Sequence, residues 1–394
     1  MTTSALRRAA AATLAFALAC AGPALAQAPA SPTPPPPAPA SPTPPSPPPP
    51  LESPEVLADA RVTFRLRSPG AKQVSLALEG ADPAAMQKDV EGVWSLTTSP
   101  LEPDYYGYSF VIDGVTSMDP SNHAVKPNFL YRASEVHVPG KALPWDVADV
   151  PRGRLHRHFY RSAVVGDQRD FYVYTPPGYE AATSRYPVLY LLHGFSDDAS
   201  GWTAVGRAHV ILDNLIAQGK AKPMLVVMPL GYGAPEILTL GIGNPRSAEA
   251  RERNVSKLRE ALFTEMMPEI ERVYRVAPGR EARAIVGLSM GGGQSLQIGL
   301  ANLDRFAWVG AFSSAVPEAY DTVFSSLDEK TNARLRLLWI GVGSGDFLIA
   351  VNRKFHGWLD ERKVRHTWVE TPGGRHTWMV WRRYLAELAP LLFR

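Results

Sequence analysis

The sequence predicts a mostly parallel α/β sheet with helices on both faces, preceded by a small immunoglobulin-like β-sandwich. Three observations carry that expectation. Across residues 152–394, short and nearly continuous apolar runs alternate with helical patterns, as buried parallel strands joined by helices must. Residues 55–140 hold short alternating segments separated by turn signals, the pattern of a sandwich. Gly287-Leu288-Ser289-Met290-Gly291, entered through Ala284-Ile285-Val286 and followed by Gly292-Gly293, reads as strand, sharp turn and helix around a serine.

The chain begins with a leader pattern. Arg7 and Arg8 precede the apolar run Ala9 to Ala19, which is too short to span a bilayer, and Ala24-Leu25-Ala26 is a small-x-small cleavage site. A signal peptide over 1–26 and export to the periplasm or medium are expected. Lipidation at Cys20 is the competing reading, and Ala17-Leu18-Ala19 suits it poorly because the leucine sits one place too late. Cys20 is the sole cysteine. Cleavage after Ala26 leaves none, which excludes a disulfide scaffold, a thiol nucleophile and a cysteine-ligated metal. Lys and Arg number 41 against 38 Asp and Glu, and losing Arg7 and Arg8 brings the mature balance close to neutral. A nucleic-acid-binding surface is not expected from such a balance.

Residues 27–54 form a Pro-rich linker, with 28–50 almost entirely Pro, Ala, Ser and Thr. Such a tract favours an extended, semi-rigid spacer over a core. In the sandwich region, strands are expected at Arg61–Leu66, Val74–Leu78, Gly92–Leu96 and Tyr105–Ile112, the last closed by Asp113-Gly114. Trp94, Tyr106, Tyr108 and Phe110 are candidates for stacking on sugar rings. Tyr106, Tyr108 and Phe110 share one strand face, which favours a role in the core. From residue 152 onward, strands are expected at Phe171–Tyr174, Val188–Leu192, Met224–Met228, Ala284–Val286, Trp308–Phe312 and Leu335–Ile340. Helices are expected at Ala208–Ala217, Lys257–Tyr274 and Ser295–Asn302.

A serine hydroxyl needs a base to take its proton and an acid to orient that base. With this elbow, the order along the chain is serine, acid, histidine. Three histidines follow Ser289. His356 falls on a predicted helix and His366 at a strand start, positions that suit structural or exposed roles. His376 lies in the loop Thr371-Pro372-Gly373-Gly374-Arg375, after the strand around Trp368-Val369 and before a helix over Met379–Phe393. Catalytic residues of open α/β sheets gather at such strand ends. The acid belongs in the preceding strand-end loop, Gly341-Val342-Gly343-Ser344-Gly345-Asp346. Asp346 is also placed to cap the next helix. Asp360 and Glu361 are the runners-up, weakened by helical placement.

An oxyanion hole requires two backbone N–H groups. Met290, directly after the serine, supplies one, and Phe195 in the loop Leu191-Leu192-His193-Gly194-Phe195 is the candidate for the other. His193 is expected to pack under that loop. Asp197-Asp198 is read as a loop cap or rim contact. No metal and no cofactor are expected.

These residues resemble a known group. Tyr186 to Phe195, Gly201-Trp202, the Gly287 to Gly293 elbow, the Gly343 to Asp346 loop and the Gly373 to His376 loop look like the esterase-D-like branch of α/β-hydrolases. Within that branch the chain is most similar to bacterial feruloyl and acetylxylan esterases of carbohydrate esterase family 1, with enterochelin esterases as neighbouring relatives. The resemblance covers most of 155–394. Residues 55–140 resemble, on looser patterns, the early-set domain found before such esterases, akin to a family 48 carbohydrate-binding module.

The resemblance implies a cofactor-free serine esterase with the triad Ser289, Asp346 and His376. It implies a small-molecule or oligosaccharide ester as substrate, with feruloyl favoured over acetyl. It also implies a pocket over the elbow to which Trp202, Tyr232 and Leu288 contribute, and xylan contact through the N-terminal domain. An exported siderophore-lactone esterase, an acyltransferase and a non-catalytic carbohydrate-binding protein are the competing readings.

Overall fold

In the computed structural model, residues 49–241 and 247–394 are described. The leader, Cys20 and nearly all of the Pro-rich tract lie outside them. Among the described residues, no helix is long and apolar enough to cross a membrane.

The sandwich is built from β1 (Val62–Arg67), β2 (Val74–Leu78), β3 (Val93–Thr97), β4 (Asp104–Ile112) and β5 (Ala133–Val138). β1 and β3 pair in one antiparallel sheet, while β2, β4 and β5 form the other. Alternation sets their faces: in β2, Val74, Leu76 and Leu78 are buried while Ser75 and Ala77 are not fully so. Phe64, Leu66, Leu76, Trp94, Tyr106, Tyr108 and Phe110 fill one core. The buried polar ends of the aromatics are satisfied. Tyr108 donates its hydroxyl to Asp119 at 2.8 Å, Tyr106 donates to the Glu102 carbonyl at 2.7 Å, and the Trp94 indole donates to the Ser68 carbonyl at 2.9 Å. These four aromatics are core residues, the role the shared strand face of Tyr106, Tyr108 and Phe110 favours, and the alternative of stacking on sugars is not available to them.

The second layer system is an eight-stranded sheet of β6 (Arg154–Arg161), β7 (Gln168–Thr175), β8 (Val188–Leu192), β9 (Leu225–Pro229), β10 (Arg283–Leu288), β11 (Trp308–Phe312), β12 (Leu337–Gly343) and β13 (Thr367–Thr371). Its order is β6-β7-β9-β8-β10-β11-β12-β13. β6 and β7 run antiparallel to their neighbours, and β9 through β13 are mutually parallel. β8, β9 and β11 are buried along their whole length. Each face of the sheet carries its own apolar core. The covering helices include α1 (Ala208–Ala217), α2 (Ser247–Ala261), α3 (Ser289–Ala301), α4 (Ile349–Glu361) and α5 (Trp378–Leu388).

Two expectations shift. β6 escaped the sequence reading because it is an edge strand rich in Arg and His, with Phe159 largely exposed. α3 starts at Ser289 and not six residues later. Gly291 and Gly293 are helical, and their lack of a side chain serves close approach. A Cβ at Gly291 would lie 2.4 Å from the His193 carbonyl oxygen, and one at Gly293 would lie 2.2 Å from that of Ala315.

The sandwich and the sheet pack as one unit, Pro50–Arg394. Arg382 of α5, fully buried, donates to Asp104 at 2.8 Å, to the Tyr105 carbonyl at 2.7 Å and to the Val205 carbonyl at 2.9 Å. Met379 of the same helix packs against the sandwich core. α5 thus ties the sandwich to the loop that precedes it in the chain, the loop carrying His376.

Candidate active site

Ser289 is the first residue of α3, directly after β10, with a left-handed φ of +51°, a strained conformation for a residue with a side chain. Gly287 makes that turn feasible, since a Cβ there would lie 2.3 Å from the Gly291 carbonyl oxygen. The Ser289 hydroxyl donates to His376 Nε2 at 3.0 Å. His376 Nδ1 donates to Asp346 at 2.8 Å to one carboxylate oxygen and 3.0 Å to the other. The three residues come from the C-terminal ends of β10, β12 and β13, so the parallel register assembles them. Asp346 also accepts the Leu348 amide at 2.8 Å, so the helix-capping role and the orienting role coexist.

Asp346 is almost wholly buried. Burial opposes its charge, but the hydrogen bond and charge of His376, the Leu348 amide and Ser313 outweigh it and hold the carboxyl below its usual range. An acid lowered in this way lends stability above the ordinary aspartate pKa, and that stability is lost as pH falls through the folded value. The carboxylate is therefore present to hold the imidazole tautomer that accepts from serine. Trp381 stands edge-on to the His376 ring at 4.8 Å and donates its indole N–H to Ser313 at 3.0 Å. Phe347, largely exposed, covers the same ring at 4.4 Å.

The loop after β8 lies against the nucleophile: a Cβ on Gly194 would come within 3.4 Å of Ser289 Cβ. Its next residue is Phe195. Met290 is in the first turn of α3, where amides have no intrahelical acceptor. Phe195 lines the cavity with Ser289, and Met290 follows the serine directly in the chain. His193 packs beneath, as expected. Its Nδ1 donates to the Gly194 carbonyl at 2.8 Å, and its Nε2 accepts the Gly231 amide at 2.8 Å. Burial lowers its pKa to about 4, so it is neutral and serves as a strut.

Ser289, His376 and Leu288 line a cavity of about 730 Å³, together with Phe195 and Phe347. Two sequence-based assignments are corrected. Trp202 and Tyr232 are each 1% exposed and do not reach the cavity. Trp202 donates to the Leu192 carbonyl at 2.9 Å and Tyr232 to the Asp197 carbonyl at 2.9 Å, so both buttress the loop from below. Asp360 and Glu361 lie on α4, away from the triad.

The sequence reading missed the sandwich's share of this cavity. Glu79, Lys126, Asn128, Leu130 and Tyr131 form one wall. Glu79 accepts from Lys126 at 2.8 Å and from the Trp378 amide at 2.9 Å, just after His376. Asn128 donates to Asp197 at 3.0 Å, Asp197 accepts the Gly194 amide at 3.2 Å, and the Phe129 amide donates to the Ser196 carbonyl at 2.8 Å. Burial pushes the Asp197 carboxyl up to about 7, against the opposing pull of Lys126 and of its two donors. The sandwich therefore grips both the histidine loop and the Phe195 loop. No local pattern could reveal this, since Asn128 and Asp197 are 69 residues apart.

Asn128 is a positioning residue in this geometry. Asn128→Ala is expected to lower kcat on p-nitrophenyl acetate by roughly 10- to 100-fold with little change in KM, because displacing the Phe195 amide affects the transition state most. Steady-state kinetics beside thermal unfolding check this. A lowered melting point with intact kcat would mark a purely structural role.

The esterase family model, described as "Putative esterase", matches residues 162–392. An endo-1,4-beta-xylanase/feruloyl esterase of Xylanibacter ruminicola is 30% identical over 361 residues, 87% of this chain and 46% of that protein. An esterase of Mycobacterium tuberculosis is 28% identical over 191 residues, 48% of this chain and 38% of that protein. The chain spans less than half the length of these curated relatives. Among solved structures, a ferulic acid esterase of Anaeromyces mucronatus is 25% identical, with a TM-score of 0.55 over 63% of this chain and 93% of that one. The enterochelin esterase of Shigella flexneri shares the fold, with 17% identity and a TM-score of 0.65 over 86% of this chain and 93% of that one.

Proposed function

The chain belongs to the esterase family, and from that premise we propose that it hydrolyses carboxylic esters through an acyl intermediate on Ser289. The observation that carries this reading is the unbroken hydrogen-bond line from Ser289 through His376 to Asp346 in the cavity. His376 takes the serine proton as the hydroxyl attacks the ester carbonyl. The Phe195 and Met290 amides receive the oxyanion. His376 then returns the proton to the leaving alcohol, and water repeats the sequence to free the acid.

The substrate class we favour is a feruloyl ester of a plant polysaccharide, with acetyl esters next. The Xylanibacter and Anaeromyces relatives carry ferulic acid esterase names. Phe347, Trp381 and Tyr131 border the cavity and offer ring surfaces to a planar phenolic acyl group. Export through the 1–26 leader would bring the enzyme to such a polymer, and the mass of the mature N-terminus tests that step.

The function is tested by hydrolysis of methyl ferulate beside p-nitrophenyl acetate. Ferulate release with the higher kcat/KM is the expected outcome. Turnover of the acetate alone would replace feruloyl by a small acyl group. Turnover of neither, with cleavage of a catecholate trilactone, would move the substrate to siderophores.

A further inference from the structure

Away from the cavity, one group of side chains has the composition and closeness of a cation site. Among the described residues, His356, Asp360 and His366 each offer a ligand atom, and these atoms lie within 4.8 Å of one another. His356 and Asp360 are one turn apart on α4, and His366 directly precedes β13. We propose that His356, Asp360 and His366 bind one zinc ion, which clips α4 to the start of β13.

The two imidazoles are prepared for it. His366 Nδ1 donates to the Val364 carbonyl at 2.8 Å, which leaves the Nε2 lone pair facing His356. Zinc-binding histidines are oriented by this kind of backbone bond. The His356 ring lies flat on Trp368, with centroids 4.7 Å apart and planes within 5°. Its Nδ1 stands 2.7 Å from His366 Nε2, and its Nε2 stands 3.6 Å from Asp360 Oδ2. Zinc takes one nitrogen of each imidazole, His356 Nδ1 and His366 Nε2, which must part slightly because ligands at the bond lengths zinc prefers are separated by about 3.3 Å. Asp360, which stands on the Nε2 side of the His356 ring, must swing round to the Nδ1 side to complete the set. Asp360 is exposed and free to make that movement.

Two imidazoles and a carboxylate are a borderline donor set that suits zinc rather than calcium or magnesium. The nearby cations are drawn elsewhere: Arg362 pairs with Asp321 at 2.5 Å and Lys363 with Glu329 at 3.9 Å. Binding trades the imidazole–imidazole hydrogen bond for two metal–nitrogen bonds: the proton on His356 Nδ1 moves to its Nε2, which frees the Nδ1 lone pair, and a water completes the tetrahedron.

The placement gives the clip a consequence. α4 begins three residues after Asp346, and β13 ends five residues before His376. Zinc would join the two elements that follow the acid and precede the base, so it raises stability and leaves the chemical step alone.

The test is calorimetric titration of the full, untagged, chelator-stripped chain with ZnCl2, beside His366→Gln and the exposed Asp360→Asn. The wild type is expected to bind one equivalent, with affinity falling about tenfold or more in both variants. Its unfolding midpoint should rise with zinc, and p-nitrophenyl acetate hydrolysis should be unchanged in both variants. Wild-type binding weaker than about 1 mM, or variants that bind zinc as the wild type does, would overturn the site. Asp360→Asn keeps the test decisive if His366→Gln does not fold.

Discussion

Ser289→Ala is expected to lower kcat for ester hydrolysis by roughly 10⁶-fold, about 8 kcal/mol of transition-state stabilisation, while the fold and KM are retained. The hydroxyl is the only atom removed. It is the one that attacks and the one bonded to His376 at 3.0 Å. Alanine carries the same Cβ into the φ of +51° at this turn, so the local backbone strain is unchanged. Circular dichroism and steady-state kinetics of the purified variant check both halves. Hydrolysis surviving at near wild-type rate would remove the serine mechanism, and with it the feruloyl reading that rests on that mechanism.

Asp346→Asn should cost nearly as much, roughly 10⁴-fold in kcat. His376 Nδ1 donates to both carboxylate oxygens, and Asp346 Oδ1 also takes the Leu348 amide. An asparagine oxygen retained by Leu348 leaves an NH2 group facing His376 Nδ1. The imidazole must then accept at Nδ1 and carry its proton on Nε2, where it can no longer take one from serine. A buried carboxylate that stabilises the imidazolium is lost in the same change. Parallel kinetics on p-nitrophenyl acetate check the magnitude. A drop of tenfold or less would show that Asp346 is a helix cap alone.

What could be read in advance follows from how local each signal is. The elbow, the acid loop and the histidine loop each combine an apolar strand, a small-residue turn and a helix within about a dozen residues, so Ser289, Asp346 and His376 were legible together. His193 was legible as a strut because it stands in the turn itself. Trp202 and Tyr232, expected at the pocket from the family resemblance, misled because a resemblance of motifs does not say on which side of a loop a side chain points. Both point into the core, where their polar atoms reach the Leu192 and Asp197 carbonyls. The sandwich wall was beyond sequence reasoning for a different reason. Asn128, Glu79 and Lys126 act on residues far away in the chain, and only the docking of two layer systems brings them to the cavity. Arg382 shows the same limit: a lone arginine on an amphipathic helix reads as solvent-facing, yet it is the buried pin of the seam.

The most direct measurement is stoichiometric labelling of the purified chain with a fluorophosphonate, followed by peptide mass spectrometry and residual-activity assay. One adduct per chain on the peptide bearing Ser289, with ester hydrolysis lost in proportion to labelling, is the expected result. Full activity in completely labelled protein, or inactivation by an adduct on any other residue, would contradict Ser289 as the activated nucleophile.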